Sequence, residues 1–360
     1  VSDLKNLEVE DLLGRDPALL DFNCIESFIS GKTVFVAGGA GSIGSELCCQ
    51  VAKFNPKLLL ILDQDETGIF NIKSKLERKF SELNFSAEVG NIRDRKKLEL
   101  IFQKHHPDIV FHAAAYKHVP LMEACPEEAV KNNIFGTEIL ADIASKNEVK
   151  KFIFISTDKA INPSSVMGVS KRVGEKICQS LNEKSDTKFT SVRFGNVLDS
   201  RGSVIPIFRE QITKGGPVEV THPDMKRYFM TISEACLLVM EAGAMGQGGE
   251  VFVLDMGKPI KILDLAKEMI KLSGLEPDKD IPIVFTGIRP GEKLFEEILG
   301  SKEEVLTTES KKIFKAKLAP VNSENLEKGL LKLKSLESFE RTTIVNGLKE
   351  LVSTYNPEEK

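Results

Sequence analysis

From Thr33 to Val197 the chain alternates short, wholly apolar runs with longer amphipathic stretches, and that alternation leaves few folds open. The runs "TVFVAGG", "LLLILDQ", "SAEVGN", "DIVFHAAA", "KFIFIST" and "FTSVRFGNV" read as strands, and the segments between them have helical spacing. A strand that is apolar on both faces must be covered on both faces, and a parallel sheet with crossover helices supplies that cover. The pattern predicts an α/β fold built on a doubly wound parallel sheet.

After Asn196 the regularity fails. "SRGSVIPIFREQITKGGPVEVTHPDMKRYF" carries Gly, Pro and short β-like runs, which predicts a smaller, mixed α/β substrate-binding lobe; the helix "YFMTISEACLLVMEAG" and the strand "EVFVLDMG" then look regular again. The expected division is a lead-in helix and linker over residues 1–30, a dinucleotide-binding part over 31–200 and about 226–256, the lobe over 201–225 and about 257–345, and a tail over 346–360.

With 360 residues, of which 41% are apolar and 28% charged, the chain can bury a full core. A net charge of -4 leaves no basic field for nucleic acid or an anionic membrane, so an anionic small molecule would need a local basic pocket. The six cysteines lie scattered without zinc spacing, which points to reduced intracellular thiols and no metal. No stretch approaches the roughly 18 apolar residues of a membrane span. A cytoplasmic chain with no membrane contact of its own is expected. Because it starts at Val1 rather than Met, it reads as a piece of a longer or processed protein, and an upstream membrane anchor stays open.

"VFVAGGAGSIGSELCCQVA" is a strand, a turn with Gly38, Gly41 and Gly44, and a helix. Glycines there allow a tight turn and close approach to a pyrophosphate, and the helix start around Ser42 and Ile43 offers free N–H groups to phosphate. Asp63 closes the next strand 19 residues after Gly44. At that spacing it can accept from the adenine ribose and would repel a 2′-phosphate, which favours NAD over NADP. Asn91 and Ile92 end the third strand, where an adenine edge would lie; the small Ala113 and Ala114 end the fourth and leave room for the dinucleotide. These features make the sheet a Rossmann type.

"KFIFIST" brings Thr157, Asp158 and Lys159 out at a strand's carboxyl end, where open α/β sheets bind ligands. Helical spacing then puts Met167 and Lys171 one turn apart on a common face, with Lys171 toward the nicotinamide ribose.

These residues resemble the extended short-chain dehydrogenase/reductase family, whose motif is Tyr-x-x-x-Lys. The glycine loop and Lys171 match it; Met167 departs from it. Within that family, "AGGAGSIGSE", "HAAAYKHVPLME", "ISTDKAINPSSVMGVSKR", "RFGNVLDSRGSVIPIF" and "RPGEKLFEE" are similar to the bacterial UDP-N-acetylglucosamine 4,6-dehydratases, in particular the membrane-anchored kind that retains C5 configuration and initiates bacillosamine synthesis for glycoprotein glycans. In that kind Met replaces Tyr. The resemblance implies oxidation of sugar C4 by bound NAD, loss of water across C5 and C6, and return of hydride to C6, with NAD regenerated each turnover. It makes Asp158 the acid at C6 and Lys159 the base at C5. Thr157 would orient the C4 hydroxyl, Lys171 would stabilise the alkoxide, and Met167 would only fill space.

A UDP-sugar brings two phosphate charges, for which Arg289 is the candidate clamp, with Glu292 on the uridine ribose. Asn196 resembles the family's diphosphate contact. Lys117, Arg201 and Lys258 are further cations, and Val204 belongs to a base pocket formed by "GSVIPIF". A homo-oligomer is expected. Two rivals stay open: a UDP-sugar 4-epimerase, which needs no acid and base at C6 and C5, and a non-catalytic NAD-binding regulatory protein, for which Met167 is the supporting fact.

Overall fold

The structure, a computed structural model, describes residues 20–298, 304–336 and 340–357. Most of the expected lead-in segment and the last three residues of the expected tail lie outside the described residues; within the lead-in, Phe22–Ile29 is a helix. All six apolar runs form strands: β1 Thr33–Ala37, β2 Leu58–Asp63, β3 Phe85–Val89, β4 Ile109–His112, β5 Lys151–Ile155 and β6 Lys188–Arg193. They pair in parallel in the order β6-β5-β4-β1-β2-β3. Alternate residues explain their uniform apolarity. Val34, Val36, Leu59 and Ile61 enter the core on one face of the sheet, while Phe35, Ala37, Leu60 and Leu62 enter the core on the other.

β7, Val251–Leu254, continues the sheet parallel to β6. Beyond it the structure corrects the expected boundaries. Residues given to the lobe form β8, Glu304–Thr307, and β9, Ile313–Lys317, both antiparallel, with β9 against β7 and β8 at the edge. Ile313 and Ala316 are buried on β9, whose Lys315 and Lys317 are charged, while β8 beyond it is mostly exposed, as an edge strand is. Helices Ser323–Lys334 and Arg341–Leu351 then bury Leu326, Leu330, Leu333, Ile344 and Leu348 in the sheet's own core. The described residues of 304–345 therefore belong with the sheet, and the expected tail begins inside a helix.

The smaller lobe has its own apolar cluster, including Leu198, Ile205, Phe208, Val218, Leu265 and Ile270. The strand order reverses between β4 and β1, so a crevice opens at their carboxyl ends, and the lobe closes over it. Among the described residues no helix is long and apolar enough to cross a membrane.

Candidate active site

β1 ends directly before Gly38, whose φ is +83°; a Cβ there would meet the Ala114 nitrogen at 2.5 Å. A Cβ on Gly44 would collide with the Gly38 carbonyl. Only bare backbone fits this close approach of loop, helix and β4. The helix Ser42–Ala52 starts at Gly41 without a side-chain cap, which leaves its first N–H groups for an anion. Asp63 is held in place: Oδ2 accepts from the Ala40 nitrogen and Oδ1 from the Asp65 nitrogen, both at 3.0 Å.

A hollow of about 220 Å³ beside Asp63 is lined by Gly38, Gly41, Asn91, Ile92, Ala113 and Ala114. Asn91 donates to Gln64 at 2.6 Å, and Gln64 to the Tyr116 hydroxyl at 3.1 Å. The cradle and the acid at its far end fit a dinucleotide. Arg201, expected on the sugar diphosphate, lines both this hollow and the adjoining cleft. Its amide donates to Ser42 Oγ and its guanidinium to Asp65 Oδ2, both at 3.0 Å, so it bridges the mouth of the hollow.

The hollow adjoins a cleft of about 680 Å³ that Ser42, Ile43 and Gly44 share with Thr157, Lys159, Met167 and Lys171. Backbone bonds from Ser156 to Val192 and from Asp158 to Phe194 carry the β5–β6 pairing past the strand end and place the polar residues. Thr157 Oγ1 donates to Asp158 Oδ1 at 2.9 Å. Lys159 Nζ donates to the same oxygen at 3.0 Å and to Asn196 Oδ1 at 3.2 Å. Asp158 Oδ2 is buried without a hydrogen-bond partner, turned toward Gly195. Burial opposes the Lys159 charge, but Asp158 and then Glu296 favour it, and the ammonium is held above its ordinary pKa.

Helix Val166–Asn182 carries the next two residues. Its start is fixed twice: Ser165 Oγ accepts from the Gly168 nitrogen at 3.1 Å, and Glu123 Oε1 from the Val166 nitrogen at 2.7 Å. Met167, 4% exposed, packs into the sheet's core and touches the cleft. Burial lowers the Lys171 pKa to about 7, against weaker opposing effects of Cys178 and Glu175. One turn further, Glu175 accepts from Arg193 at 2.7 and 2.8 Å, from Ser156 at 2.6 Å and from Arg172 at 2.7 Å, which ties the helix to β6 and to the end of β5.

Lys117, Asn196, Val204, Arg289 and Glu292 all line the cleft. Lys258 does not; it is exposed on the turn after β7. Burial, then Arg201, lowers the Lys117 pKa. Two residues of the site escaped the sequence reading: Arg227, and Glu296 at the end of the same "RPGEKLFEE" run that suggested Arg289 and Glu292. The paired acids of that run were the available signal. Among the described residues no group of His, Cys, Asp and Glu could hold a metal ion.

A glycine cradle at the point where strand order reverses, a polar triplet at the end of β5 and a helix-borne lysine define the extended short-chain dehydrogenase/reductase architecture. Within it, the chain belongs to the polysaccharide biosynthesis protein family, whose model matches residues 34–318. The capsular polysaccharide biosynthesis protein CapD of Staphylococcus aureus is 54% identical over 84% of this chain and 51% of its own length. The inverting UDP-N-acetylglucosamine 4,6-dehydratase of Campylobacter jejuni is 33% identical over 78% of this chain and 81% of its own. The solved structure of Pen from Bacillus thuringiensis, 33% identical, matches with a TM-score of 0.75 over 86% of this chain and 99% of its own. The chain spans about half the length of CapD and of the related EpsC of Bacillus subtilis.

Proposed function

We propose that this chain is the catalytic part of a UDP-N-acetylglucosamine 4,6-dehydratase with NAD as resident cofactor, and that it retains the C5 configuration. The observation that carries the reading is the Asp158–Lys159 pair: two adjacent proton-active groups, with side chains 3% and 19% exposed and 3.0 Å apart, beside the cofactor crevice. An enzyme that only oxidises and re-reduces C4 has no use for them.

NAD, when bound, supplies the acceptor for the C4 hydride and the donor at C6. Thr157, already donating to Asp158, orients the C4 hydroxyl, whose proton leaves for solvent. Lys171 stabilises the alkoxide. With C4 a ketone, the C5 proton is acidic; Lys159 as the amine takes it, and Asp158 protonates the C6 hydroxyl as it leaves as water. Across the cycle the pair takes back from solvent the proton it gives to the departing water, which offsets the C4 hydroxyl proton released there. Arg289 and Lys117 face the diphosphate, and Arg201, which lines both spaces, stands between it and the cofactor. Production of a 4-keto-6-deoxy sugar for bacillosamine-type glycans, a homo-oligomer, and a cytoplasmic position beneath an upstream anchor complete the reading.

Incubation with UDP-N-acetylglucosamine in heavy water tests it. A product lighter by one water, with a C4 ketone and deuterium at C5 in the original configuration, supports it. An isomer of unchanged mass would favour the 4-epimerase reading, which has its own support in a Rickettsia massiliae UDP-glucose 4-epimerase 34% identical to this chain.

A further inference from the structure

The ammonium of Lys159 stands between two carboxylates. Asp158 Oδ1 is 3.0 Å from Nζ on one side and Glu296 Oε1 3.5 Å on the other. Glu296 reaches the cleft from the lobe, far along the chain from "STDK", and its side chain is 3% exposed. Arg227 lies 3.7 Å from the same oxygen, itself fixed by donating to the carbonyls of Lys226 and Leu294 at 2.8 and 3.3 Å. Glu296 Oε2 is buried with no hydrogen-bond partner. A desolvated carboxylate with one bare oxygen is costly unless it faces positive charge. Glu296 faces two such charges, one of them the proposed base.

We propose that Glu296 is a positioning residue that holds Lys159 in the cleft as an ammonium and sets the pH at which Lys159 releases its proton. The use Lys159 makes of that proton rests on the dehydratase reading. The pair of Asp158 and Lys159 carries one proton at rest. Passing it from Nζ along the 3.0 Å bond leaves an amine that accepts the C5 proton and a carboxylic acid that gives its proton to the departing C6 hydroxyl. The elimination ends with an ammonium facing Glu296; it returns its proton to C5, and the pair then regains one proton from solvent, equal to the one released from the C4 hydroxyl. At high pH the pair loses its one proton and the cycle stops, so the alkaline limb of the rate profile reports the pair.

Glu296→Gln keeps the shape and removes the charge. In protein labelled with ¹³C at lysine Cε, the Lys159 resonance is identified by its absence in Lys159→Arg and titrated in wild type and variant. The expected result is a midpoint lower by about one unit or more in the variant, with the alkaline limb of dehydration displaced the same way. Should Glu296→Gln fail to fold, Glu296→Asp, which draws the charge back by one methylene, is expected to give a smaller shift of the same sign. An unchanged midpoint in a folded variant overturns the proposal, whatever happens to the rate. Absence of water loss by the wild-type protein would defeat the dehydratase reading alone, since the titration still decides for or against Glu296.

Discussion

Lys171 Nζ stands 3.9 Å from the centroid of the Phe154 ring. The cofactor-side cation is thus propped from below by an aromatic face of β5, the strand that leads through Ser156 into the polar triplet. An aromatic face favours the charged form, but burial outweighs it and brings the pKa to about 7.

Because the folded pKa of Lys171 lies below its unfolded value, the unfolded chain binds more protons between about pH 7 and about pH 10.5, and stability attributable to this residue rises with pH through that window. Lys171→Met is therefore expected to be more resistant to denaturant than wild type at pH 6, with the advantage shrinking toward pH 10, while losing activity. Urea midpoints at the two pH values check this; an equal difference at both would contradict it.

Asp63 carries two duties, since its carboxylate accepts from the backbone of the phosphate loop and of the turn after β2. Asp63→Ala is expected to weaken NAD binding, to narrow the preference over NADP, and to lose about 1–3 kcal/mol of stability from two missing hydrogen bonds. Calorimetric titration with both cofactors, together with a thermal melt, measures each part. Unchanged selectivity would leave Asp63 a loop-holding residue only.

Met167→Leu nearly conserves volume and should cost under about 1.5 kcal/mol while leaving dehydration largely intact. Met167→Tyr restores a phenol where the neighbours are packed for a thioether, and little gain is expected if Thr157 and Lys171 already manage the C4 proton. Single-turnover rates of the two variants decide: loss of activity in the leucine variant would give the sulfur a role, and a large rise in the tyrosine variant would mean that the native C4 step is impaired.

The carboxyl of Glu175 is buried, which alone would raise its pKa, yet Arg193 and then Arg172 hold it down at about 2. A carboxylate lowered in the fold contributes stability above the ordinary pKa of about 4.3, and that contribution is lost as pH falls toward about 2. Glu175→Gln leaves Arg193 buried and undercompensated, with an expected loss of about 3–5 kcal/mol at neutral pH. The gap between variant and wild type should close in acid; a constant gap from pH 7 to pH 3 would refute the assignment.

The parallel strands were legible because burial on both faces writes a continuous apolar run, and Thr157, Asp158 and Lys159 were legible because a strand end delivers neighbours in sequence to one place. The edge hairpin was not. "EVLTTES" and "KIFKAK" mix lysine, glutamate and threonine with apolar residues, as an exposed edge strand or a lobe segment would equally do, and only pairing with β7 tells them apart. Glu296 and Arg227 were missed for a related reason: their meaning comes from Lys159, more than sixty residues away in the chain.

The chain leaves the sheet for the lobe after β6, comes back as β7, leaves again, and comes back as β8 and β9. A protease that nicks the exposed lobe segment at Lys214, whose side chain is 69% exposed, would separate the sequence into two pieces without freeing either. One piece keeps β1 to β6; the other keeps β7 hydrogen-bonded along β6 and β9 along β7. The cut protein would migrate as one particle until denatured, and then as two bands.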